Sequence, residues 1–536
     1  MIQMITVNTT LGTGLYWRGG QILGLGGPLA VLLSFLIVGL LSWAIMQCIS
    51  EMACMWPVPG AMSLYVAKFI DPDLGTIVGA AYWFTYTVGF PTLIATSAAE
   101  FNFWDGLKDN KAFHGAVVYC LIPITIVGIN AFRVEIYGWI EVVSGFLKIA
   151  FLFVIISALI AINSGALKRL DWDKPTHFDH SAADNWFTAL LMSISIATFA
   201  FVGIEVAAAS SLEAKWPKRS SESENPEVGE TLTDEVPGRT IKNSAVYTSF
   251  WATLMYSLSG VLETFDISSE DCQLPRVSWL EESDKRVCKG SVSQAAFVTI
   301  AKVSKIPYLA DVFNIFLIFT CLTCASTNLF VASRTLFGLT TRLDGSRDQP
   351  RYMRFFAWFG KTDRRQVPLR AVIGSAIFLS WVPFLQLIGG GENTYSPINT
   401  FIDVLGIRGI FLEQLRDTNI CSVSKHRDEI LDERIVYFPR SSNYYPYRSH
   451  FQPWLAYIAL IGCLFLLLVA NGAALWNGFH LIPFLSSYFT VLVFVGSWVC
   501  LKLIRGSRWS YVDLSDPQRV KTILQNLHYL AREARS

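Results

Sequence analysis

Glu205 and Lys148 each stand in a stretch otherwise apolar enough to cross a bilayer. A charge at membrane depth is costly enough to mark a functional position by default. Burial lowers the pKa of a lysine, so Lys148 is read as a group that forms a buried pair or takes up and loses a proton, and Glu205 as a functional carboxylate. Lys148 lies about eight residues into its span, roughly 12 Å deep by helical rise, and Glu141 precedes it in the same span. The plainer alternatives are a carboxylate that caps a broken helix end and a lysine that snorkels to the interface.

A second kind of chemistry belongs to the backbone. Thr9 to Tyr16 reads Thr-Thr-Leu-Gly-Thr-Gly-Leu-Tyr and falls within the first apolar run. Each interior glycine weakens a helix by about 0.5–1 kcal/mol relative to alanine. Non-helical backbone at membrane depth survives only where protein buries it or a wet cavity lines it. The stretch therefore reads as a helix break whose second half presents unpaired N–H groups, a site suited to a carboxylate. A glycine-rich interface between two spans and a loop before the first true span are the other readings. Thr198-Phe-Ala-Phe-Val-Gly-Ile-Glu205, followed by Ala207 to Ser211, is a second candidate break and opens the second half of the chain as the first opens the first half. Paired breaks at corresponding helices are the sequence signature of a midplane transport site. The correspondence is positional, with no letter-by-letter repeat.

The elements that must position these groups are membrane spans. The 536-residue chain is 52% hydrophobic and 16% charged, well below the roughly 25% charged residues of soluble domains. Apolar runs occur at 1–25, 28–49, 75–100, 115–132, 140–162, 187–212, 243–262, 309–338, 370–388, 454–476 and 483–504. A further stretch, Asn399 to Gln414, is interrupted by Asp403, Arg408 and Glu413 and makes a doubtful tenth span. The basic segment from Arg334 to Arg370 is assigned to the cytoplasm. Counting from it puts the N-terminus inside, and only twelve spans bring the basic cluster Lys502, Arg505 and Arg508 to the same side. Residues 1–508 are thus expected to form one membrane domain, with a cytoplasmic loop at 213–242 and an extracellular one at 263–305. Residues 509–536 form a cytoplasmic tail with an amphipathic pattern from Val520 to Leu530. No cleavable leader is read, and the first span is expected to direct insertion itself.

Other classes are disfavoured. A net charge of +1 argues against a nucleic-acid partner. HExxH, GxxxxGK[ST] and GxSxG motifs are absent, so no enzyme is expected. Cys321 and Cys324 form a CxxC pair, but in an apolar run without a second pair, and His177 and His180 lack further ligands; no metal and no cofactor is expected. Cys272 and Cys288 share the loop assigned to the outside and are candidates for a disulfide, whose geometry the spacing leaves open.

Several pieces together resemble the fungal amino-acid permeases of the amino acid–polyamine–organocation superfamily. They are Leu11-Gly-Thr-Gly-Leu-Tyr16 with Gly26-Gly-Pro28, Glu51-Met-Ala with Pro57-Val-Pro-Gly60, Phe201-Val-Gly-Ile-Glu205, Val236-Pro-Gly-Arg-Thr-Ile-Lys242, Ala332-Ser-Arg-Thr-Leu336 and Tyr445-Pro-Tyr-Arg-Ser449. The resemblance implies an all-α polytopic fold of twelve helices, the first ten forming two five-helix inverted repeats with discontinuous helices 1 and 6. It implies proton-coupled uptake of an amino acid across the plasma membrane by alternating access, with both termini cytoplasmic. The backbone of Leu11, Gly12, Thr13 and Gly14 would hold the substrate carboxylate, and carbonyls around Thr198, Phe199 and Val202 its amino group. Phe199 would be an aromatic gate. Glu205 and Lys148 would couple the proton, Lys148 by bridging the first and eighth helices. Asn8 and Thr9 replace the family's usual glycine pair, and Thr92 and Leu93 stand where many relatives carry an acid after Pro91. Arg408 to Arg440 departs from the family pattern, as a displaced splice boundary or reading frame would. A non-transporting receptor of the same fold, or an inactive product of such a displacement, is the alternative.

Overall fold

The computed structural model describes residues 2–206, 246–275, 295–384, 447–476 and 481–533, with short interruptions. Every regular element among them is helical. The chain opens with α1 (Ile2–Thr10) and α2 (Thr13–Met55), separated at Leu11 and Gly12. Hydropathy places a boundary between 25 and 28, and there α2 kinks, at Gly27 (φ 75°) and Pro28. A Cβ at Gly27 would sit 2.4 Å from the His177 carbonyl oxygen, so both the positive φ and the close approach require glycine.

There follow α3 (Ala61–Phe69), α4 (Pro72–Phe101), α5 (Lys111–Asn130), α6 (Val134–Ser164) and α7 (Trp186–Ala197). The second half holds α8 (Thr248–Asp266), α9 (Ala296–Val303), α10 (Leu309–Thr340), α11 (Arg351–Phe359) and α12 (Leu369–Leu379). The chain closes with α13 (Trp454–Phe465), α14 (Leu481–Arg505) and α15 (Pro517–Glu533). Among the described residues, seven helices are long and apolar enough to cross a membrane. Two shorter apolar ones, Trp186–Phe201 and Leu369–Phe384, match the sixth and ninth runs. The doubtful tenth span, the loop at 213–242, and both Cys272 and Cys288 lie outside the described residues.

The membrane helices are inside-out amphipaths. On α6, Trp139, Val143 and Phe146 face outward, at 71%, 64% and 60% exposure, while Glu141, Ser144 and Lys148 are buried against the bundle. That distribution suits a hydrocarbon solvent, in which polar groups must find partners inside the protein. α4 and α10 pack along one another through the centre, and α2 packs on α7 and α8.

One end of the bundle is tied by ions. Asp71 caps α4, accepting from the N–H groups of Asp73 and Leu74 at 2.8 Å each, and Pro72 takes the first helical position, where a missing N–H costs nothing. The same Asp71 carboxylate receives the Lys502 ammonium at the end of α14. Arg505 reaches Asp73 at 2.8 Å. The Val512 N–H donates to the Ile70 carbonyl at 2.8 Å, and α15 buries Val520, Leu524 and Leu527 against Trp56, Val58 and Phe69. The amphipathic pattern read from Val520 to Leu530 is thus a helix whose apolar face seats on the membrane domain. Tyr447 and Ser449, just before α13, bond Gln47 and Glu51 at this same end. Phe384, just after α12, packs edge-on against Tyr119 of α5.

Burial alone would raise the Asp71 carboxyl, but the Lys502 ammonium and the two N–H groups outweigh it and hold the carboxyl below the usual carboxylate range. A depressed native value stabilises the fold fully above the ordinary carboxylate pKa of about 4, and that contribution is lost as pH falls through the native value. Lys502→Met leaves Asp71 buried without its cation, at a cost of about 3–5 kcal/mol. The Asp71→Asn, Lys502→Met double variant removes the orphaned charge. Thermal unfolding of the purified protein near pH 7 is expected to show a larger loss for Lys502→Met than for the double variant. The gap between them should close below pH 4.

Candidate substrate site

The first break is a change of hydrogen-bond partners. The Leu11 N–H donates to the Val7 carbonyl and the Gly12 N–H to that of Thr10, both at 2.7 Å, and Gly12 then turns extended (φ −110°, ψ −170°). The carbonyls released at the end of α1 are taken by side chains from elsewhere. The Asn8 carbonyl accepts from Lys148 Nζ at 2.7 Å and from Cys324 Sγ at 3.2 Å. The Thr10 carbonyl also accepts from the Tyr256 hydroxyl. The other side of the break is left open: Gly12 brings no capping side chain to the first turn of α2, whose N–H groups lack intrahelical acceptors. Donors pointing outward from a helix start favour an anion.

The second break lies at the end of α7. Asn185 caps that helix, accepting from the Thr188 N–H at 2.9 Å. The last turn tightens into a 3-10 turn at Thr198–Phe201, and Val202 is extended (φ −65°, ψ 138°). Gly203 follows at φ 93°. The two breaks touch through their glycines. A Cβ on Gly14 would lie 2.6 Å from the Ala200 Cα, and one on Gly203 would lie 2.2 Å from Thr9 Cγ2. Neither approach tolerates a side chain.

Between them is a pocket of about 600 Å³, open mouth included, walled by Gly12, Gly14, Phe199, Ala200 and Val202 from the breaks. α4 contributes Thr85, Tyr86, Gly89 and Thr92, and α10 contributes Cys324 and Asn328. Of the residues singled out from sequence, Gly12, Gly14, Phe199 and Val202 line this wall. Leu11 and Thr198 are buried in the two breaks themselves, outside the wall. For Thr13 the backbone alone is described. The Arg18 guanidinium lies 4.9 Å from the centre of the Phe199 ring, a cation–π contact.

Glu205 and Lys148 sit behind the wall. One Glu205 oxygen accepts the Gly203 N–H at 3.1 Å, as a cap on the second break would. The other accepts the Tyr86 hydroxyl, and through that bond the carboxylate reaches the pocket. Lys148, 1% exposed, joins α6 to α1 through the Asn8 carbonyl and to α10 through Cys324 Sγ at 3.4 Å. Asn8 extends the cluster, its amide donating to Glu141 Oε2 at 2.5 Å and Ser144 Oγ at 2.8 Å. Thr327 closes it on Glu141 Oε1 at 3.3 Å.

Sequence reasoning missed four of these residues. They are Tyr86, Cys324, Asn8 and Asn328, none of which the sequence reading assigned to the site. The available signal was polarity within apolar runs: Thr85, Tyr86 and Thr92 fall within two turns of α4, as Cys324 and Asn328 fall within one on α10.

Residues 1–221 and 234–510 match the amino acid permease family. Relatives include Amino acid transporter 1 of Schizosaccharomyces pombe, 26% identical over 76% of this chain and 62% of its own length. Another is the Dicarboxylic amino acid permease of Saccharomyces cerevisiae, 26% identical over 94% of this chain and 76% of its own. The Basic amino-acid permease of the same yeast is 23% identical over 98% of this chain and 84% of its own. The chain therefore spans a little under two thirds of the first of these relatives. The closed structure of Mhp1, a nucleobase–cation symporter, aligns over 94% of the chain at a TM-score of 0.47 and 12% identity. With a match that covers nearly its whole length, the chain belongs to the amino acid permease family, as a multi-pass membrane protein whose described elements are all helical.

Proposed function

We propose that this protein carries an amino acid across the plasma membrane together with a proton, by alternating access around the pocket between the two helix breaks. The observation that carries the reading is the contact of the breaks through Gly14 and Gly203. It sets uncapped N–H groups and the end of α7 on facing sides of one pocket, a match for the opposite charges of a zwitterion. The substrate carboxylate binds the backbone of Leu11 to Gly14. Its ammonium binds carbonyls at Thr198, Phe199 and Val202, and Phe199 gates the pocket. The relatives' names, amino acid transporter and permease, agree with this substrate class.

Coupling needs a group whose protonation changes the relative stability of the two states, since a ligand indifferent to both shifts nothing. Glu205 meets that requirement through Tyr86: gaining a proton changes what its carboxylate can accept from the pocket wall and from Gly203. Lys148 meets it through the Asn8 carbonyl, because losing its proton weakens the tie between α6 and α1. Both termini and the basic segment at Arg334–Arg370 face the cytoplasm in this arrangement, with residues 1–508 as the transport domain and 509–536 as the tail.

Uptake of labelled amino acids into permease-deficient cells tests the proposal. Rates are expected to rise as the outside is acidified and to fall when the proton gradient is collapsed; uptake indifferent to pH removes the proton, and no uptake beside intact binding makes the protein a receptor. Glu205→Gln is expected to flatten the pH profile while substrate still binds. In Gly203→Ala the new Cβ would enter Thr9, and uptake should drop at least about tenfold, corresponding to a loss of about 1.4 kcal/mol, with the protein still at the membrane.

A further inference from the structure

The pocket wall carries no ionised side chain among its described residues. Glu205 and Lys148 stand outside it, and Arg18 stacks on Phe199 without joining it. A ligand with a net charge would therefore enter a desolvating site without a counter-ion among the described wall residues, an arrangement that disfavours such ligands. The hydrogen-bonding groups of the wall are, in addition, nearly all committed. Thr9 and Thr10 donate to the carbonyls of Ile5 and Thr6, each at 2.8 Å. Thr85 and Thr92 donate to those of Ala81 and Val88, at 3.0 and 2.8 Å. The Tyr86 hydroxyl goes to Glu205 and the Cys324 thiol to the Asn8 carbonyl. These groups offer a ligand only acceptor lone pairs.

Asn328 is the exception. Its carboxamide lines the pocket and has no hydrogen-bond partner among the described residues. Gly89, on the facing helix α4, makes room for it: a Cβ there would lie 2.4 Å from Asn328 Nδ2. An amide left with both donors and an acceptor unmet, opposite a wall of hydroxyl lone pairs at Thr85 and Thr92, is complementary to a group that both gives and takes hydrogen bonds. A purely apolar side chain would strip water from the amide and return nothing.

We propose that Asn328 selects the substrate side chain, and that the preferred substrates are uncharged amino acids with a hydroxyl or carboxamide side chain. This rests on the pocket being the amino-acid site. Asn328 donates to the side-chain oxygen of the substrate, and the Thr85 and Thr92 oxygens accept its hydrogens.

The test uses the full-length protein in lipid nanodiscs, with ligand-induced thermal stabilisation by glutamine, serine, leucine, lysine and aspartate, alongside uptake competition in cells. Glutamine and serine are expected to stabilise the protein and to compete. Lysine and aspartate should do neither. Asn328→Leu, which keeps the bulk and removes the hydrogen bonds, should raise the KM for glutamine about tenfold more than that for leucine. Asn328→Asp puts a carboxylate into the wall and should let lysine compete, a gain that misfolding cannot mimic. Wild-type stabilisation by lysine or aspartate as strong as by glutamine overturns the proposal. So does an Asn328→Leu protein whose glutamine-to-leucine KM ratio stays at the wild-type value. Absence of any amino-acid binding to the wild type overturns the proposed function itself, and this selectivity with it.

Discussion

A peptide group in hydrocarbon must be hydrogen-bonded inside the protein, and this chain interrupts two helices where that rule is strictest. Each interruption frees backbone donors and acceptors, and each freed group must be met by a side chain, by water or by a ligand. At the end of α1 the debt is met on one side only. The Asn8 and Thr10 carbonyls are engaged by Lys148, Cys324 and Tyr256, while the first turn of α2 is left uncapped at Gly12. At the end of α7 the Gly203 N–H is engaged by Glu205. The pocket lies where the two unfinished ends come together.

That asymmetry explains why so many polar residues are buried in a protein solvated by lipid. Asn8, Glu141, Ser144, Lys148 and Thr327 form one connected cluster that holds α1 against α6 and α10. The cluster links three helices through side-chain hydrogen bonds, although the Asn8 Oδ1 oxygen is buried without a partner among the described residues. It therefore sets the position of the short α1, whose last two residues, Thr9 and Thr10, line the pocket. At the far end of the bundle, the Asp71–Lys502 pair and α15 tie the last helix to the start of α4, so the pocket wall that α4 supplies is anchored outside the membrane domain's centre.

Much of this was legible beforehand, because membrane spans and their glycines obey composition. The spans follow from hydropathy and the two breaks from Gly12, Gly14 and Gly203 in apolar runs, whereas the two spans read at 1–25 and 28–49 are joined in one helix, α2, kinked at Gly27. Partners were not legible. Glu205 stands out as a charge, yet whether it faces the pocket or caps Gly203 depends on Tyr86, a residue 119 positions away that resembles packing in any one-dimensional reading. The same holds for Asn328, whose open amide is visible only once Gly89 on α4 is seen to face it. Periodicity reports which side of a helix is buried, not what waits there.

The most direct measurement is an experimentally determined structure with a bound amino acid. Density is expected between the two breaks, with the carboxylate within hydrogen-bond reach of the N–H groups at the start of α2 and the ammonium against the carbonyls of Thr198 to Val202. A ligand held elsewhere, or residues 9 to 16 seen as unbroken helix turned toward lipid, would contradict the central claim.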